Sequence, residues 1–202
     1  MRSEGAVVIS GTETAAEVKG SLKTQVEELQ KKDPSFKPGL VIVQVKSFVT
    51  VTLMKDEIID QVGGREDSNV YIRMKIKAAE QIGISASCLK LDRSTTQTQL
   101  LNKIRELNED TSVHGIIVQM PLDTTEEIDS HLVTDAVSAA KDVDGLNTTN
   151  EGKVATGDLA TGFLPCTPHG CLSLIQKSGV KVENKIVSFI CSSFYDPSTN
   201  KT

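Results

Sequence analysis

Leu40-Val-Ile-Val-Gln-Val45 decides the fold of this chain. Apart from Gln44 it is apolar and largely β-branched. It is too short for a helix and apolar on both faces, which marks a strand buried inside a parallel sheet. Gly115-Ile-Ile-Val-Gln-Met120 repeats the pattern. Around these runs the apolar period switches to helical spacing. Val18, Leu22, Val26 and Leu29 predict a helix over about 12–31, stopped before Asp33-Pro34. A second helix is expected from about Asp67 to Ile82, closed by Gly83, and Cys88-Leu-Lys-Leu91 reads as a weak strand. Ser94-x-x-Gln97 reads as a capping box ahead of Leu100, Leu101, Ile104 and Leu107. Thr124-x-x-Glu127 is expected to cap a helix through about Ala140, Thr167-Pro168 to start one ending at Gly179, and Lys185–Cys191 to form a last strand. The expected class is α/β, a three-layer parallel-sheet domain with helices on both faces. Such sheets take ligands beyond the carboxyl ends of their strands, so Gln119 and the segment after Gln44 fall where a site belongs.

Composition excludes several classes. The 202 residues carry a net charge of −5, with 38% hydrophobic and 24% charged residues, ordinary values for a globular protein with a sizeable core. The negative balance leaves no footprint for nucleic acid or an anionic membrane, and no run approaches the ~20 apolar residues of a membrane span. The apolar stretch before Ser10 is too short for a signal peptide and Glu4 argues against a transit peptide, so a cytoplasmic location is expected. Cys88, Cys166, Cys171 and Cys191 form no Cys-x-x-Cys pair, and His114, His131 and His169 lack zinc-ligand spacing. Free thiols and no metal site are expected.

Three short segments carry chemistry. Tyr71-Ile-Arg-Met-Lys75 puts a ring and an amine one helical turn apart. Lys75 reads either as a solvated surface charge or as a cleft amine able to move protons; Val70, Met74 and Ala78 are expected to form the apolar stripe beside it, and Asp67-Ser68-Asn69 to cap its helix. Gln119 ends an apolar strand before Pro121, as a loop satisfier or as a neutral partner that positions Lys75 without holding it charged, as a carboxylate would. Asp144, in Lys141-Asp-Val-Asp-Gly145, is either a turn residue or a planar acceptor for an amino-pyrimidine edge.

These stretches, with Glu66–Lys75, Leu107-Asn-Glu-Asp110, Val113-His-Gly115, Val118-Gln-Met-Pro-Leu122 and Pro165-Cys-Thr-Pro-His-Gly-Cys171, resemble the folate-binding half of the methylenetetrahydrofolate dehydrogenase/cyclohydrolase family, most closely its cytosolic trifunctional members. The resemblance covers about residues 7–187. It implies oxidation of methylene-tetrahydrofolate with NADP and hydrolysis of the methenyl product to formyl-tetrahydrofolate. It also implies that Lys75 is catalytic and tuned by Gln119, that Tyr71 stacks on the folate and Asp144 binds its pterin, and that Ser68, Val118, Met120 and Pro121 line the substrate site. Family members are homodimers with a folate partner.

Two stretches depart from the family. Gln44-Val45 recurs as Gln61-Val62, and removing residues 45–61 restores the family spacing, so that segment reads as an insertion, with Phe48, Val49, Val51 and Leu53 apolar. Beyond about residue 188 the chain diverges before the turn that would hold the NADP phosphates. The expected organisation is a folate-binding catalytic domain over 1–165 and the start of an NADP-binding domain over 166–202, the rest of that domain missing and dehydrogenase activity absent. The alternative is a non-catalytic truncated isoform that binds folate or dimerises; a third is an unrelated α/β domain.

Overall fold

The computed structural model describes residues 9–46 and 66–181 and, of residues 66–68, the backbone alone. Its centre is the run expected there. β1 (Gly39–Val45) is flanked by β2 (Ser85–Leu91) and β3 (Gly115–Val118), both parallel to it, in the order β2-β1-β3. Ile42↔Cys88 and Ile42↔Ile117 set the two registers. As the middle strand, β1 must be apolar on both faces; β2, at one side, alternates exposed and half-buried residues instead.

The pleat distributes β1 and β3 between two helical layers. Ile42 and Ile117 face α2 (Glu66–Ile82), packing with Ile72 and Ile76. Val43, Val45, Ile116 and Val118 face the other way, onto Leu100 and Ile104 of α3 (Gln97–Glu109) and Val133 of α4 (Ser130–Asp135). The three-layer expectation therefore holds. Helix α2 carries the chain from β1 to β2 across one face, and α3 carries it back past β1 across the other. The ends of β1 and β3 consequently diverge and leave a crevice at the switch point. α1 (Gly11–Lys32) lies alongside α2, with Lys19 Nζ donating to Gln81 Oε1 at 3.0 Å. Gly83, at φ +90°, ends α2 as expected.

Several boundaries differ from expectation. Ser94 does not cap α3, because Asp92 Oδ1 accepts both its N–H (2.9 Å) and its hydroxyl (2.7 Å). Thr96 forms the capping box instead, with Gln99, and Gln97 Oε1 accepts the Asp129 N–H at 2.8 Å. The helix expected over 124–140 shrinks to α4, capped by Asp129, because Thr124 and Thr125 are tied to the Arg93 carbonyl. A helix not expected, α5 (Thr148–Ala155), starts at the Asn147 cap. α6 (Cys166–Lys177) begins after Pro165, so Thr167 lies inside it. The stripe facing the sheet from α2 is Ile72, Ile76 and Ala79; Val70 and Met74 are 43% and 64% exposed, because burial follows the turn spacing from Ile72. The strand expected over 185–191 and the segment from residue 47 to 65 lie outside the described residues.

Candidate functional site

The site forms where the crevice geometry puts it. Lys75 sits half-buried on α2 and its Nζ donates to Gln119 Oε1 at 3.4 Å. The residues are 44 apart in sequence, brought together because α2 leaves the end of β1 while Gln119 leaves the end of β3. The Gln119 N–H still donates to the Val43 carbonyl (2.9 Å), so its backbone is held by the ladder. Its side-chain amide donates to the Met120 carbonyl (2.9 Å), which turns the oxygen, and not the nitrogen, toward Lys75. The Met120-Pro121 peptide is cis.

Asp144 lies half-buried in the turn after Lys141. The Cys166 thiol reaches its Oδ1 at 3.7 Å and the Val143 carbonyl at 3.4 Å. Burial, then the Asp144 carboxylate, push the Cys166 thiol above its ordinary range, while the nearby Lys75 ammonium pulls it down. Gly145 has φ +69°, and a Cβ there would stand 2.8 Å from the Pro165 nitrogen and 2.9 Å from the Phe163 oxygen, so this turn is pressed against the backbone entering α6. Tyr71, one turn before Lys75, is 63% exposed, its ring open to a ligand.

Not every expected residue presents a side chain here. Val118 is buried among the α3-side core residues, and Met120 packs against the same cluster. The reason is parity: if Gln119 faces α2, its neighbours face away. Val118 can meet a ligand only through its main chain, and the Met120 side chain is half-buried. Pro121 is exposed beside them, and the Ser68 side chain lies outside the described residues. Next to the cleft, a groove of about 930 Å³ runs between α1, α2 and α6, with Met74 and Cys166 on its wall. The sequence gives Cys166 as a free thiol with no place at the cleft, and gives no role to the buried set Asp142, Asn147 and Asn150. The spacing Asp142…Asn147-x-x-Asn150 was the available signal, since short polar side chains beside a turn often bond its backbone. Among the described residues no cluster has the makings of a metal site, and no helix is long and apolar enough to cross a membrane.

Residues 57–144 match the model of the tetrahydrofolate dehydrogenase/cyclohydrolase catalytic domain. The chain is 55% identical over 182 residues to the cytoplasmic C-1-tetrahydrofolate synthase of Drosophila melanogaster, covering 90% of this chain and 17% of that protein. It is 43% identical over 180 residues to the human cytoplasmic synthase, covering 89% and 17%. The chain thus spans about a sixth of the length of these relatives. Among solved structures, the bifunctional FolD methylenetetrahydrofolate dehydrogenase/cyclohydrolase of Campylobacter jejuni matches with TM-score 0.73 at 32% identity, over 87% of this chain and 55% of that one. The Trypanosoma brucei FolD, complexed with NADP cofactor and inhibitor, matches with TM-score 0.74 at 28% identity, over 88% and 53%.

Proposed function

The chain belongs to the tetrahydrofolate dehydrogenase/cyclohydrolase family, and from that premise we propose that its cleft binds a one-carbon tetrahydrofolate and promotes hydrolysis of the methenyl form. The observation that carries this reading is the Lys75–Gln119 hydrogen bond at the mouth of the switch-point crevice, with Asp144 in contact with Cys166, which shares a groove wall with Met74. The Asp144 carboxylate accepts from the amino-pyrimidine edge of the pterin. Tyr71 offers its exposed ring to the folate body. Water adds to the electron-poor methenyl carbon and gives up both its protons: Lys75 passes one to the ring nitrogen whose bond to the carbon breaks, and the other leaves to solvent as the formyl carbonyl forms. Gln119, a neutral acceptor, holds the amine in place without fixing its charge. The main chain at Val118, Met120 and Pro121, with Ser68, completes the proposed substrate wall.

The family also uses NADP. Among the described residues β2 runs into Asp92-Arg93-Ser94 and β3 into Gln119-Met120-Pro121. Neither of these turns has the glycines that let a backbone approach a pyrophosphate, so they do not fit the dinucleotide. The division near residue 165, a cytoplasmic location and homodimer formation belong to the same proposal. The relatives are named as synthases and dehydrogenase/cyclohydrolases, which supports the enzymatic reading over a non-catalytic folate-binding or dimerising module.

The test is loss of methenyl-tetrahydrofolate absorbance with the purified chain and its Lys75→Met variant, alongside folate affinity by calorimetry. Turnover by the parent, abolished in the variant while affinity stays within a few-fold, is the expected result. Equal rates in both proteins would remove Lys75 from the reaction.

A further inference from the structure

Lys141-Asp-Val-Asp-Gly145 carries two carboxylates with opposite fates. Asp144 stands at the cleft. Asp142 is 4% exposed. Its Oδ2 accepts the Asn147 N–H at 2.8 Å and the Asn150 side-chain amide at 2.9 Å. Asn150 is fully buried, and the same amide nitrogen also donates to the Ala139 carbonyl at 3.0 Å. The Asn147 side chain spans the Asp135 and Val137 carbonyls at 3.0 and 2.9 Å. The main chain of Asp142 is equally committed. Its N–H donates to the Ser138 carbonyl (2.9 Å), its carbonyl accepts the Gly145 N–H (3.2 Å), and it pairs with β3 at Ile116. Asp142 and Asp144 both line a cavity of about 10 Å³, room for one water.

Asp142 is thus the residue where β3 and the chain leaving α4, through its main chain, meet the start of α5, through its carboxylate, around the turn that carries Asp144. We propose that Asp142, with Asn150 as its partner, is the positioning residue that sets the Asp144 carboxylate for the pterin edge, an inference that rests on the folate reading of the cleft. Asp142 touches no ligand. It works by satisfying N–H donors that would otherwise be buried unpaired, and so fixes a turn already pressed on residues 163–165. A planar two-point contact at Asp144 tolerates little drift, since a misplacement of about 1 Å can cost on the order of a hundredfold.

Cys166 supplies a reporter that needs no folate, because its sulfur rests on Asp144 Oδ1 and the Val143 carbonyl. Cys88, on β2 beside Gln44 Oε1, is the internal control. Alkylation by iodoacetamide, resolved by peptide mass spectrometry, is compared in the full chain, Asp142→Ala, Asp142→Asn and Asn150→Ala. In Asp142→Ala the Cys166 rate should change several-fold with Cys88 unchanged. Asp142→Asn should stay near the parent, since one amide oxygen can accept both N–H groups. Asn150→Ala, which leaves the carboxylate in place, should fall between them, and it carries the test if Asp142→Ala does not fold. By calorimetry, folate affinity should drop about tenfold or more in Asp142→Ala and recover in Asp142→Asn. An unchanged Cys166 rate, or Cys166 and Cys88 rising together as in general loosening, overturns the proposal. If the parent binds no folate, the reading of the cleft fails, and the positioning of Asp144 is still decided by the Cys166 rates.

Discussion

At the scale of single residues, the candidate site is legible wherever chemistry and periodicity agree. Lys75 and Gln119 were nameable from their motifs, and the structure brings them to 3.4 Å. Val118 and Met120 come from the same motif as Gln119, and alternation along a strand turns their side chains to the opposite face, which leaves their main chain for the proposed substrate wall. Asp142 was passed over because two carboxylates two residues apart look alike in sequence; only burial, 4% exposure, separates them. The neutrality of Gln119 is testable on its own. Gln119→Glu keeps the length and the acceptor but sets a carboxylate against Lys75, which favours the charged amine. Positioned proton transfer is worth roughly a hundredfold or more, so methenyl hydrolysis should fall by about tenfold or more with folate affinity little changed. A rate equal to the parent's, read by absorbance, would mean that Gln119 only positions. Gly145→Ala should be more damaging than a surface glycine change, because it combines φ +69° with a contact of 2.8 Å to backbone that cannot yield. The expected outcome is lower melting temperature together with weaker folate binding, measured on the same sample.

At the scale of elements, strands and the longer helices followed from pattern, while caps and short helices did not. The reason is that local turns form where the cap spacing points. Ser94 is folded back on Asp92 by its N–H and hydroxyl, and Thr124 accepts the Glu126 N–H in a turn of its own while donating to the Arg93 carbonyl. Helix α5 escaped notice because it is short and exposes most of its surface, so no apolar stripe announces it. The shift of the α3 cap predicts that Thr96→Ala destabilises the chain by about 1 kcal/mol in urea unfolding, and Ser94→Ala by clearly less. The reverse order would put the cap back at Ser94. The Asp-x-Ser turns give a pH prediction. Hydrogen bonds from Ser112, side chain first and then backbone, hold Asp110 below the usual carboxylate value of 3.8, and bonds from Ser94 do the same for Asp92. A lowered folded-state pKa contributes stability above the unfolded value and loses it as pH falls through the folded one. Thermal stability should therefore decline on acidification below about pH 4, and Asp110→Asn should flatten part of that decline.

At the scale of the whole molecule, the order of helices and strands announced a layered sheet, and the crevice followed from the winding alone. What the sequence could not convey was how α2 keeps its place when residues 46–65 separate it from β1. The structure gives a partial answer. Gln44 donates from Nε2 to Asn69 Oδ1 at 3.1 Å, and Lys46 Nζ reaches the same oxygen at 3.1 Å. Asn69 lies in the first turn of α2, so the end of β1 grips the helix that carries Tyr71 and Lys75. Deleting residues 45–61 removes Lys46 and brings Val62 behind Gln44, restoring a short strand-to-helix connection of the usual kind. Loop-closure entropy changes slowly with length, by about 0.6 kcal/mol per doubling, so overall stability should move little. The gain should come in position. A short connection fixes the first turn of α2 from two sides, strand and Gln44–Asn69, and placement errors of about 1 Å are what such sites tolerate least. The shortened chain should bind folate more tightly than the parent in calorimetry, with melting temperatures close together. If both proteins are folded and their affinities equal, the Gln44–Asn69 bond alone suffices to hold Lys75 against Gln119.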